Sequence, residues 1–219
     1  YLAQQGLTEE TAKKQIRSNM LLEYAVNQAA KKDIKESDYK AAFESYTPEV
    51  TAQIIKLDSE DKAKEVLEAA KAEGADFAQI AKDNSTDTAT KDKGGEVKFD
   101  SGTADIPSQV KEAAFKLDEN GISDVITVSA GQNYSASYYI VKLNKKTEKG
   151  SDWKKYEKRL KEIIIEGRKQ DTNYIRSIIA KAMTNANIKV KDDAFKSTFN
   201  QYLQNIGVET SDSSSSSKK

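Results

Sequence analysis

Residues 50–80, VTAQIIKLDSEDKAKEVLEAAKAEGADFAQI, decide the fold. Val50 to Leu57 reads as a strand: Val50, Ile54, Ile55 and Leu57 fall in one short run bounded by Pro48 and Asp58. From Asp58 or Ser59 the period changes. Ala63, Val66, Leu67 and Ala70 recur at helical spacing, and Gly74 suits the helix stop. Asp76 and Gln79 stand three apart like a capping box, opening a short helix with Phe77 and Ile80 inward.

Downstream, residues 84–95 are polar and end in Gly94-Gly95, which predicts a loop. Glu96 to Asp100 predicts a short strand. Pro107 fits a helix N-terminus, with Val110, Ala113 and Ala114 following. Asn120-Gly121 signals a turn, and Val125–Val128 and Tyr138–Leu143 read as strands joined by a polar turn over Ser129–Ala136. The order β-α-α-β-α-β-β predicts a small α+β domain.

Both flanks read as helices. Thr8 is an N-cap candidate with Glu9 and Glu10 behind it; Ile16, Met20 and Tyr24 recur every four residues, widened by Leu21 and Val26. A second helix near Ser37 presents Tyr39, Ala42, Phe43 and Tyr46 on one face. Beyond the middle zone, Asp152 is expected to cap a long helix with Trp153, Tyr156, Leu160, Ile163 and Ile164. A bend near Gly167 precedes Tyr174, Ile175, Ile178 and Ile179. Ile188 and Val190 suggest an extended stretch, and Asp192 a cap for a last helix with Phe195, Phe199, Tyr202 and Leu203. Short amphipathic helices cannot bury such faces alone. The two ends are therefore expected to pack on each other, with 1–47 plus 148–207 forming a discontinuous all-α domain. The α+β domain, 48–147, is inserted into it. The Ser- and Lys-rich end, 208–219, has too little apolar surface to fold and is expected to be a disordered tail.

Composition limits the chemistry. The 219 residues hold 35 basic and 35 acidic side chains, a balance that argues against a nucleic-acid partner. With no Cys and no His, thiol nucleophiles, imidazole bases and the usual zinc sites are excluded, and neither metal nor cofactor is expected. No apolar run approaches the roughly 18 residues of a membrane-spanning helix. The chain opens at Tyr1 without a signal segment, so a processed or trimmed start is expected.

Four stretches, AQIIKLDSEDKAKEVLEAAKAEGADFAQIAKDNSTD, KGGEVKFD, VKEAAFKLDENGISDVI and SYYIVKL, together resemble a parvulin-type peptidyl-prolyl isomerase domain over about residues 50–147. With its flanking helices and Ser-rich end the chain is similar to the PrsA-type foldase lipoproteins of Gram-positive bacteria, streptococcal members above all. The resemblance implies a parvulin-like four-stranded antiparallel sheet with flanking helices. It implies an extracytoplasmic foldase or chaperone, lipid-anchored outside the plasma membrane through a Cys that lies outside this chain. Its partners would be unfolded or partly folded exported proteins, and a homodimer through the helical faces is left open.

The family's catalytic cluster holds two His and a Cys or Asp beside a Met, Phe, Phe pocket. The resemblance places Gln53 and Tyr139 at the two His positions and Asp87 at the acid. It places Ile106, Val110 and Phe115 in the substrate-binding pocket. Gln offers a donor and an acceptor and Tyr a hydroxyl, so a Tyr139–Asp87 hydrogen bond is chemically sensible, but neither replaces paired imidazoles. Val for Phe at 110 removes an aromatic wall, which weakens the grip on proline. The plain alternatives are an Asx turn at Asp87, a strand-face residue at Gln53 and a packed aromatic at Tyr139. Three functions follow: a foldase with a weak or inactive isomerase domain, an active isomerase, and a non-catalytic adhesion or scaffold protein.

Overall fold

The computed structural model describes residues 8–129 and 136–186. In chain order the elements are α1 (Glu9–Lys32), α2 (Glu36–Ser45), β1 (Val50–Leu57), α3 (Glu60–Lys71), α4 (Phe77–Asn84), β2 (Glu96–Phe99), α5 (Ser108–Lys116), β3 (Ile126–Val128), β4 (Ser137–Lys146), α6 (Glu157–Gln170) and α7 (Thr172–Ala186). Contacts divide the chain into two units, Glu44–Asp152 and a unit joining the residues up to Phe43 with those from Trp153 onward. The stretch at Ile188–Val190, the helix expected after Asp192 with Phe195, Phe199, Tyr202 and Leu203, the tail 208–219 and most of the Ser129–Ala136 turn lie outside the described residues.

In the first unit the sheet order is β2-β1-β4-β3, every pair antiparallel. β1 alternates only weakly in sequence because helices cover both its faces. Val50, Ala52 and Ile54 pack with Phe99, Val141, Leu143 and the α5 residues Val110 and Ala114. Ile55 and Leu57 pack with Ile140 and with Ala63, Val66, Phe77 and Ala81 of α3 and α4. Ser59 caps α3 as expected, but that helix ends at Lys71, ahead of Gly74. Asp76 accepts from the Gln79 amide at 3.1 Å, whereas the Gln79 side chain donates to Asp83, so only half of the expected capping box forms.

The helical unit starts at a capping box of Thr8 and Thr11. α1 packs on α6 and α7 and buries Val26 and Ala30. The Ile16, Met20, Leu21 and Tyr24 stripe, expected to be covered, is 58–65% exposed. α2 stacks Tyr39 on Trp153 at 5.1 Å and Phe43 on Tyr156 at 5.8 Å. Tyr46, assigned in sequence to the same face, belongs to the other unit, where its hydroxyl donates to Asp100 at 3.1 Å. Asp152 does not open a long α-helix: a 3₁₀ turn, Trp153–Tyr156, precedes α6. Gly167 lies inside α6, and the break comes at Asp171, whose Oδ1 accepts from the amides of Asn173 and Tyr174. Arg168 closes the end of α1: it donates to the carbonyls of Ala30 and Asp33 and pairs with Asp38 at 2.8 Å.

Candidate functional site

The β1–β4 register sets where the two histidine-position residues point. Ile54 faces Val141 and Ile55 faces Ile140, so Gln53 stands opposite Lys142 and Tyr139 opposite Lys56. Directly opposed residues share a face and neighbours along a strand do not. Gln53 therefore lies on the α3–α4 face with Ile55, and Tyr139 on the α5 face with Ile54. The Gln53 amide donates to the Gly94 carbonyl at 2.9 Å, and Tyr139 packs against the α5-side core.

Asp87 follows α4. Its Oδ1 accepts from the Ala89 amide at 3.1 Å, an Asx turn, and its Oδ2 accepts from the Thr90 hydroxyl at 2.6 Å. Buried Ser85 ties this loop to β1, its Oγ accepting from the Lys56 amide at 3.2 Å. The carboxylate thus works within its own loop, and Tyr139 is not among its partners.

The three pocket positions do come together. Ile106, Val110, Phe115 and Tyr139 all belong to the α5-side cluster. Val110 is completely buried, so no substrate reaches it without opening the core. Phe115 tilts against Phe99 at 5.8 Å. What remains is one phenol beside a half-covered apolar surface, with the amide on the far side of the sheet and the acid held in a turn. Among the described residues no cluster of three or more acidic side chains could hold a metal ion.

Sequence reasoning missed Asp100. Its carboxylate is buried and accepts from the Tyr46 hydroxyl, the Thr103 hydroxyl and the Gly102 amide at 3.0–3.1 Å. Lys111 of α5 donates to the Ser101 and Thr103 carbonyls. Together they fix the loop that leads to Ile106. The stretch DSGT, 100–103, is an Asx-turn pattern and was the available signal.

The helical unit carries a second surface. Ile16, Met20 and Leu21, with Lys13 and Arg17, line an open hollow of about 420 Å³. Around α1 a groove of about 340 Å³ has Leu22, Val26 and Ile175 in its wall, with Glu23, Glu166 and Lys169 also lining it. Hydrogen bonds from Lys169 and Gln170 hold the Glu166 carboxyl below its usual range.

Residues 44–145 match the rotamase family described as the PPIC-type PPIASE domain. A foldase protein PrsA of Streptococcus gordonii is 60% identical over 99% of this chain and 68% of its own length. The chain belongs to the PrsA foldase family. The PrsA of Streptococcus sanguinis is 65% identical over 94% of this chain, which spans 61% of that relative's length. The crystal structure of PrsA from Streptococcus pneumoniae superposes with a TM-score of 0.82 at 55% identity, covering 92% of this chain and 73% of that one. The expected α+β class with its four-stranded antiparallel sheet agrees with these PrsA relatives.

Proposed function

We propose that the chain acts as an extracytoplasmic foldase that holds apolar segments of unfolded or partly folded exported proteins, while its parvulin-like unit has little or no prolyl isomerase activity. Rotation about an X–Pro bond meets a barrier of roughly 18–20 kcal/mol from amide resonance. Lowering it requires polar groups placed together around the twisting amide, bound better in the transition state than in the planar one. The observation that carries the reading is the separation of Gln53 and Tyr139 onto opposite faces of the sheet. The internal bonds of Asp87 support it further. Client holding falls to the helical unit, drawn at 1–47 with 148–207 around an isomerase-like unit at 48–147. There the α1 stripe offers apolar side chains to water, which suits weak, exchangeable contact without nucleotide. A lipid anchor outside this chain would hold it at the outer face of the plasma membrane.

Two measurements test this. Isomerisation of a proline peptide should proceed at the buffer rate with the chain present. A rate above buffer that Asp87→Ala abolishes would overturn the inactive reading. Aggregation of an unfolded exported protein should be suppressed by the chain, and absence of suppression would overturn the foldase reading.

A further inference from the structure

We propose that Met20 is an oxidation site through which peroxide weakens client holding, an inference that rests on the α1 face serving as proposed above. Met20 is 65% exposed and central in that face, one turn after Ile16 and one turn before Tyr24, with Leu21 beside it. It also lines the 420 Å³ hollow with Lys13 and Arg17. The chain has two methionines and no cysteine, so no thiol competes for an oxidant. The other methionine, Met183, is half-buried on α7.

The step is a two-electron oxygen transfer. The thioether sulfur attacks one peroxide oxygen, the S–O bond forms and the O–O bond breaks. The leaving hydroxide takes the proton from the oxygen now on sulfur and departs as water; sulfur is oxidised and peroxide reduced. The product is a polar, chiral sulfoxide whose oxygen must keep a hydrogen-bond partner. At the middle of an apolar surface it removes the contact Met20 offers and obliges a docking side chain to strip water from the new oxygen. Losing the burial of the 65% of this residue that lies open weakens holding by at least about fivefold.

The full chain is treated with dilute hydrogen peroxide, quenched with catalase, and mapped by peptide mass spectrometry. Suppression of aggregation of reduced α-lactalbumin is measured before and after; with no cysteine, the chain is untouched by the thiol reductant this probe needs. Met20 should gain one oxygen before Met183 does. The chain concentration needed for half-suppression should rise at least about fivefold and return after methionine sulfoxide reductase treatment. Each variant is compared with its own untreated sample: Met20→Leu should show no change on treatment, and Met183→Leu the same change as the unsubstituted chain. Oxidation at Met183 ahead of Met20, or complete Met20 oxidation without loss of suppression, overturns the inference alone. An untreated chain that suppresses nothing overturns the foldase reading and the inference with it.

Discussion

Gly95 and Gly74 share a φ of +77° but differ in surroundings. A Cβ on Gly95 would stand 2.4 Å from the Ile54 carbonyl oxygen, whereas nothing lies within 4 Å of one on Gly74. Gly74→Ala should therefore cost only the left-handed strain, about 1 kcal/mol. Gly95→Ala must also push β1 from β2 and should cost about 3 kcal/mol or more. Urea unfolding followed by circular dichroism separates them, and equal losses would show that the close approach does not matter. A second case concerns pH. The Lys71 hydrogen bond and charge hold the Asp124 carboxyl below its ordinary 3.8. A depressed carboxyl contributes stability above its unfolded value and loses it as pH falls through the folded one. The neutral-pH difference in unfolding midpoint between the chain and Asp124→Asn should therefore close below 3.8. A constant difference would mean that the ion pair is not its source. At this scale the sequence showed that Gly94-Gly95 turns and that Asp87 could form an Asx turn. It could not show that Gly95 meets Ile54, 41 positions away, nor which faces Gln53 and Tyr139 occupy. Those depend on pairing register, which passes a bulge at Thr51–Ala52 that no local pattern announces.

Periodicity was a good guide to elements and a poor one to their partners. The helical face of Tyr39 and Phe43 was readable from spacing, as was the Trp153 and Tyr156 run, and the structure stacks one pair on the other. The α1 stripe was equally readable, yet α6 and α7 engage Val26 and Ala30 and leave Ile16, Met20 and Tyr24 in water. Spacing marks an apolar face without saying how far a neighbour extends along it. Gly167 misled for a simpler reason: a helix tolerates one exposed glycine at a cost of about 1 kcal/mol, while the Asp171 side chain caps a new helix outright. The stack gives a test. Trp153 is the single tryptophan, so its emission reports the helical unit alone. Tyr39→Ala should shift that emission to the red and destabilise the helical unit by about 2 kcal/mol. An unchanged spectrum would mean that the ring at 5.1 Å contributes no shielding.

For the molecule as a whole, neighbours in sequence and members of one unit do not coincide. The helical unit needs both ends, whereas residues 44–152 hold a sheet, three helices and two buried clusters of their own. A polypeptide of residues 44–152 should fold alone and unfold cooperatively in urea, while residues 1–46 without 153 onward should stay largely unstructured, since α1 would lose α6 and α7. Pro48 suggested a boundary because α2 cannot continue through it. The polar anchors of the sheet unit begin earlier. The Tyr46 hydroxyl meets Asp100, the Thr47 amide donates to Ser101 Oγ and the Ser101 amide to the Thr47 carbonyl, and Lys149 Nζ reaches the Glu44 carbonyl. Cutting to 50–147 removes all of these and takes the Tyr46 hydroxyl from a carboxylate only 6% exposed. Leaving such a group short of a donor costs about 1–3 kcal/mol. The shorter polypeptide should therefore fold but unfold at lower urea, and Tyr46→Phe in 44–152 should reproduce a large part of that loss. If 50–147 matched 44–152 in stability, Asp100 would be satisfied by its own loop, and the segment before Pro48 would be a linker rather than part of the unit.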